Sequence, residues 1–262
     1  MAPLQVFCLP HAQPRAADLA AQLGAPLQIL PDFERKTLKR LASSVPLALM
    51  VGDDVSLQTF ELPLPGPVRV DWADGQTLWR LQHGGGRGEM LAKACGIKGD
   101  YLPWVVDATA GFGRDSLLLA WLGCRVTLLE RSPVVRALLE DGWKRAQAEP
   151  MLTGTLARME LVFAEASAWL KALTGETRPE VVYLDPMFPS REKSAKVKVN
   201  MQVFHQAVGA DSDADALLEP ALAAAKKRVV VKRPRLAEPL AGKAPSIVFE
   251  GESSRFDVYL IN

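Results

Sequence analysis

Histidine and cysteine are scarce in this chain, three of each in 262 residues. His11, His83 and His205 stand far apart without ligand spacing, so no metal centre built on imidazole is expected. Cys8, Cys95 and Cys124 are equally dispersed, include no C-x-x-C pair, and would leave one thiol over if any two joined. They are expected to be buried free thiols. Long apolar runs are missing too: none reaches the roughly 18 to 20 residues that cross a bilayer, and Met1 to Gln5 lacks the basic stretch that opens a secretory signal. The expected setting is the cytoplasm, with no membrane contact. Nor does charge of one sign prevail, since 31 Lys and Arg face 30 Asp and Glu for a net charge of +1. The generally basic surface that marks many nucleic-acid binders is therefore absent, and any such role must rest on local clusters.

Apolar material is plentiful. With 48% hydrophobic and 23% charged residues the chain can bury a real core, and disorder as the dominant state is excluded. Charge is also unevenly placed. Arg191, Lys193, Lys196 and Lys198 stand close together with only Glu192 among them. Lys226, Lys227, Arg228, Lys232, Arg233 and Arg235 form an acid-free run, and Arg35, Lys36, Lys39 and Arg40 a smaller cluster. Taken singly, each reads as a solvated face as readily as a phosphate-binding one.

From about Trp104 onward, short β-branched runs alternate with helical stretches, the pattern of a parallel sheet wrapped by helices. The strands expected are Val105–Asp107, Arg125–Glu130, Leu161–Phe163, Val181–Leu184 and Val229–Val231, with a terminal hairpin of Ile247–Phe249 and Phe256–Leu260. Helices are expected over Asp115–Leu122, Pro133–Ala146 with Ser132 as its N-cap, and Asp213–Ala225. The fold class is α/β: a mostly parallel, doubly wound sheet over residues 101–262 with an antiparallel C-terminal hairpin. Residues 1–100 read as a smaller N-terminal α/β lobe with strands at Leu47–Val51, Val55–Leu62 and Val68–Trp72 and few long helices. Its closing glycine cluster, Gly84, Gly85, Gly86 and Gly88 around Arg87, has two readings: an anion cradle of backbone amides, or a flexible connection between lobes.

The most specific stretch runs from Asp107 through Gly111, Gly113 and Arg114 to Asp115, between the first strand and its helix. Glycines at such a turn admit positive φ and a close ligand, and the helix N-terminus offers unpaired N–H groups. A dinucleotide fingerprint would need a third glycine where Ser116 stands, so an oxidoreductase is disfavoured. Acid-x-x-x-Gly-x-Gly is instead similar to the turn by which Rossmann-like methyltransferases bind S-adenosylmethionine. Glu130, ending the second strand, is placed to accept hydrogen bonds from ribose hydroxyls. Asp107 has two readings, holding the loop or facing the methionine amine, while Glu165 and Ala166 after the third strand are expected beside adenine.

Strand Val181–Leu184 runs into Asp185-Pro186-Met187-Phe188-Pro189, a turn stiffened by two prolines at the edge where open α/β sheets bind ligands. It is similar to the Asp/Asn-Pro-Pro-Tyr/Phe element of methyltransferases acting on exocyclic amines, with Met187 in place of the second proline. An aromatic amine is a poor nucleophile because its lone pair is delocalised. Asp185 and the Pro186 carbonyl suit the two acceptor roles that would localise it, and Phe188 offers a stacking face. The other reading is an ordinary strand-ending turn with Phe188 in the core.

These segments, with Leu128–Arg131, Lys193–Ala195, Leu217–Pro220 and Lys227–Pro234, closely resemble the bacterial ribosomal RNA small subunit methyltransferase J family over most of residues 80–262. The resemblance implies a Rossmann-like class I methyltransferase that uses S-adenosylmethionine to methylate N2 of a guanine near the 3′ end of 16S rRNA. Its implied partner is 16S rRNA or the 30S subunit; no metal is expected, and the sequence allows no stable protein partner to be inferred. Implied cofactor contacts are Arg114, Asp115, Glu130, Arg131 and Asp185; where the family commonly carries a Ser-Ser pair, this chain has Glu165-Ala166. Arg191, Lys193, Lys196 and Lys198 would then form an RNA-facing loop, with Lys232 and Arg233 on phosphates. A DNA or protein amine methyltransferase, and an RNA-binding module without catalysis, are the alternatives.

Overall fold

A computed structural model describes residues 4–42, 44–186 and 213–261. In chain order its elements begin with β1 (Leu4–Cys8), α1 (Gln13–Leu23), β2 (Leu27–Ile29), α2 (Arg35–Leu41), β3 (Leu47–Val51), β4 (Val55–Thr59), α3 (Gly75–His83) and α4 (Met90–Ala94). They continue with β5 (Val105–Asp107), α5 (Arg114–Trp121), β6 (Val126–Glu130), α6 (Pro133–Ala146), α7 (Thr153–Leu156), β7 (Met159–Phe163) and α8 (Ala166–Lys171). Last come β8 (Val181–Leu184), α9 (Leu218–Ala224), β9 (Arg228–Pro234), β10 (Ile247–Glu250) and β11 (Ser254–Leu260).

Contacts divide the described residues into two compact units, one within 4–71 and 132–145, the other within 72–131, 146–186 and 213–261. In the first, a four-stranded sheet runs β2-β1-β3-β4, with β1 parallel to both neighbours and β4 antiparallel to β3. All five residues of β3 and of β4 are buried; β3 accordingly reads as one continuous apolar run, whereas β4 buries the polar Ser56, Gln58 and Thr59 among its apolar residues. Phe7, Leu38, Met50 and Phe60 anchor its core, Phe7 and Phe60 meeting edge to face at 6.0 Å. On α2, Leu38 turns inward while Arg35, Lys36, Lys39 and Arg40 are exposed. Helix α6 joins this unit through the buried Asp141, which accepts from Arg15 at 2.6 Å and Arg145 at 2.9 Å. Ser132 Oγ accepts the Val135 N–H at 3.4 Å, the N-cap that the sequence predicts.

The second unit holds a seven-stranded sheet, β10-β11-β9-β8-β5-β6-β7. Strands β9, β8, β5, β6 and β7 are parallel, and β11 and β10 add the antiparallel hairpin. One face packs against α8 and α9 through Val106, Val182, Leu184, Leu170, Leu218 and Ala221. This is the doubly wound α/β fold expected, and β5, α6 and β8 have the predicted bounds. The predicted helix over Asp213–Ala225 is instead a 3₁₀ turn, Ala214–Leu217, followed by α9.

The units do not divide at residue 100. Trp72 is buried and its indole N–H donates to the Phe112 carbonyl at 2.9 Å, tying the chain from that point to the second unit. Val68–Trp72 is not a strand but a single bridge, Leu57 with Val68, because the Val70 carbonyl is taken by Arg145. The glycine cluster forms the turn between α3 and α4, with a short 3₁₀ turn at Gly86–Gly88. Gly84 ends α3 with its N–H on the Arg80 carbonyl, and a Cβ there would stand 2.5 Å from that oxygen. Arg80 and Glu89 pair across the turn at 3.3 Å.

Candidate active site

Strand order in the second unit reverses at β5, whose neighbours β6 and β8 lead to opposite edges. Crevices at such points, beyond the carboxyl ends of the strands, are where α/β sheets take ligands.

The glycine turn is built for close approach. Gly111 and Gly113 have φ of 51° and 68°, and a Cβ on Gly113 would meet the Trp72 ring at 2.7 Å and Leu128 at 3.1 Å. Asp107 holds the turn together, the first of its two readings. One carboxylate oxygen accepts the Ser116 hydroxyl at 2.6 Å and the other the Thr109 N–H at 3.2 Å. Ser116 thus has a purpose where a dinucleotide fold would want glycine. Burial pushes the Asp107 carboxyl up to about 7 despite these two hydrogen bonds. Glu130, buried at the end of β6, accepts the Gly111 N–H at 3.2 Å. Positive-φ glycines, free N–H groups at the start of α5 and a carboxylate at the next strand end make a donor and acceptor set that fits S-adenosylmethionine.

Beside this turn stands a charged cluster. Alternation places Tyr183 and Asp185 on one face, and the register Tyr183 with Val230 puts Lys232 on that same face of β9. Lys232 Nζ donates to Asp115 at 2.8 Å and to Asp185 at 2.9 Å. The Tyr183 hydroxyl donates to Asp115 at 2.6 Å, and the Asp185 N–H donates to Thr109 Oγ1 at 2.6 Å. Burial alone would raise both carboxyls. For Asp115 the pull of Lys232 and the Tyr183 hydrogen bond wins, and its value falls below the usual range. For Asp185 burial wins, helped by the nearby Asp115 charge against the pull of Lys232. Lys232 itself is held above its ordinary value by the two carboxylates, against its own burial.

Other predicted residues fall elsewhere. Arg114 is exposed in the first turn of α5. Arg131 makes a two-pronged bond to Asp213, at 2.5 and 3.0 Å. Glu165 caps α8 by accepting the Ser167 and Ala168 N–H groups at 2.8 and 2.6 Å, and Ala166 is buried in that first turn. Both Glu165 oxygens thus accept backbone N–H groups at the position expected beside adenine. Pro186 is buried behind Asp185. Phe188, Arg191, Lys193, Lys196 and Lys198 lie outside the described residues.

The acid-free basic run does not form one patch. Arg228 donates to the Ala94 carbonyl, Lys226 reaches Glu176, and Lys227 lies 4.1 Å over the Tyr101 ring. Arg233 is buried, with its guanidinium on the Glu238 carbonyl. Alternation along β9 sends neighbours to opposite faces, so of the two residues that the resemblance implies on RNA phosphates, Lys232 meets the carboxylates and Arg233 enters the interior. Sequence reasoning missed Tyr183, Thr109 and Trp72 as parts of the site, and placed Lys232 on RNA phosphates rather than in this cluster. For Lys232 a signal existed, because period-two counting from Val230 puts it on the Asp185 face.

A family model described as "Putative SAM-dependent methyltransferase" matches residues 33–261. The curated "Ribosomal RNA small subunit methyltransferase J" of Thioalkalivibrio sulfidiphilus is 49% identical over 94% of this chain and 92% of its own. That of Pseudomonas aeruginosa is 46% identical over 95% and 94%. The chain belongs to the ribosomal RNA small subunit methyltransferase J family. It is an S-adenosylmethionine-dependent methyltransferase, and the cofactor is the ligand that the glycine turn suits. A solved SAM-dependent methyltransferase from Neisseria gonorrhoeae aligns with this family member at a TM-score of 0.70 and 38% identity, covering 98% of this chain and 96% of its own.

Proposed function

We propose that the enzyme methylates the exocyclic N2 amine of one guanine in 16S rRNA of the small ribosomal subunit, acting in the cytoplasm where that subunit is assembled. The reading is carried by Asp185 and Pro186 following β8 beside the glycine turn, with the Asp185 backbone anchored on Thr109. The names of the relatives support rRNA of the small subunit as substrate. The resemblance of Asp185–Pro189 to amine-methylating turns supports the exocyclic nitrogen.

The bound cofactor supplies an electrophilic methyl group on a sulfonium. Asp185 and the Pro186 carbonyl accept the two amine hydrogens, which localises the nitrogen lone pair, and Phe188 stacks on the extruded base. Asp107 and Glu130 hold the cofactor turn, and Arg114, Asp115 and Arg131 line the approach. The remaining barrier is lowered by in-line positioning. Arg191, Lys193, Lys196 and Lys198 engage RNA phosphates.

Asp185→Ala tests this directly. The variant is expected to bind S-adenosylmethionine within several-fold of wild type while losing methyl transfer to 30S subunits by about a hundredfold or more, as removal of an electrostatic catalytic group does. Transfer within tenfold of wild type would remove Asp185 from the reaction.

A further inference from the structure

Lys232 sits on β9, one strand away from the end of β8, where Asp185 follows, and its ammonium is half enclosed. It donates to the Asp115 and Asp185 carboxylates, at 2.8 and 2.9 Å. A lysine engaged this way is poorly placed to reach a phosphate. We propose that Lys232 is a positioning residue for methyl transfer: clamped between Asp115 and Asp185, its ammonium keeps the Asp185 carboxylate charged and turned toward the incoming amine. The inference rests on the proposed role of Asp185.

The balance of charges explains why the reaction needs this. Methyl transfer from the bound cofactor would form a C–N bond as the C–S pair returned to a neutral thioether, and would leave the positive charge on the amine nitrogen until its proton passed to water. A neutral Asp185 would offer neither a strong acceptor for the N–H nor stabilisation of the developing charge. The groups around Asp185 work in opposite directions. Asp115 on α5 adds negative charge, Asp107 on β5 adds it only above about pH 7, Tyr183 on β8 is a neutral donor to Asp115, and Arg80 of α3 acts on Asp115 from further off. Lys232 is the cation in direct contact with Asp185 among the described residues. Removing it leaves two carboxylates near each other in a partly dry site, which favours retention of a proton.

The test is the pH profile of kcat, at saturating cofactor and 30S substrate, for wild type, Lys232→Met and Lys232→Arg. Lys232→Met is expected to move the acidic limb up by about one to two pH units, the usual effect of one close opposite charge. Its deficit should be at least tenfold near pH 6.5 and shrink toward pH 9, with KM for 30S and its salt dependence unchanged. Lys232→Arg should restore most of the profile. A second readout is independent of turnover: carbon-13 NMR of aspartate-labelled protein without substrate, with the Asp185 signal assigned by its loss in Asp185→Asn, should show Asp185 titrating higher in Lys232→Met. Lys232→Gln, which keeps a polar partner for both carboxylates, serves if methionine unfolds the chain. A pH-independent loss, or a change confined to KM and the salt slope, would overturn the proposal and return Lys232 to the phosphates. Wild type inactive on 30S would sink the proposed substrate while the NMR titration still decided the clamp.

Discussion

Asp107 shows how one buried side chain links folding to pH. Its carboxyl lies near 7 in the native protein, above its ordinary value, so the native state holds the proton more tightly than the unfolded chain. That contribution is fully present below about pH 4 and is lost as pH rises through 7, by up to ~4 kcal/mol for a shift of this size. Asp107→Asn keeps an acceptor for the Thr109 N–H but cannot ionise. Chemical denaturation between pH 5 and 8 should therefore give a flatter stability curve for Asp107→Asn than for wild type. Parallel curves would mean that the Ser116 and Thr109 bonds keep Asp107 ionised throughout. At this scale the sequence revealed residue types better than partners. Asp107, Glu130 and Asp185 were legible because each ends a strand beside a glycine or proline turn. The bond of Ser116 to Asp107 and the N-cap use of Glu165 were not, since both depend on side-chain rotamers that follow packing.

The element that governs cofactor affinity is the turn from β5 into α5. Gly113 must adopt φ of 68° where any Cβ would press on the Trp72 ring, so two separate costs oppose a side chain. Gly113→Ala is expected to lower stability by about 2 kcal/mol, from left-handed strain plus overpacking, and to weaken cofactor binding at least tenfold. Calorimetric titration with S-adenosylmethionine, alongside thermal unfolding, checks both; unchanged affinity would show that the turn does not contact the ligand. Strands β5 and β8 could be read from sequence because parallel, doubly covered strands are short β-branched runs bounded by turn residues. β1 and β2 escaped notice for the same physics in weaker form: Leu27–Ile29 is three residues long and mostly exposed, and Leu4–Cys8 lies between Pro3 and Pro10 in a proline-rich stretch. Val68–Trp72 has strand composition, but its carbonyl and indole are claimed by Arg145 and Phe112, which no local pattern reveals.

Over the whole molecule a net charge of +1 offers little long-range attraction to RNA, so recognition must come from local clusters. Of the run from Lys226 to Arg235, Lys232 and Arg233 are engaged inside the fold, which leaves the exposed Lys226, Lys227 and Arg235, the cluster from Arg191 to Lys198 and the exposed cations of α2. Lys193→Ala combined with Lys196→Ala should weaken 30S binding and lower the slope of log affinity against log salt by about 2, one unit for each lost phosphate contact. An unchanged slope would take those lysines off the phosphates. Substrate identity is the claim on which these predictions converge. The most direct measurement is radiolabelled methyl transfer from S-adenosylmethionine to 30S subunits that lack the modification, followed by mass spectrometry of the product nucleoside. The account predicts N2-methylguanosine from 16S rRNA; label in any other nucleoside, or cofactor binding with no label in RNA, would contradict it.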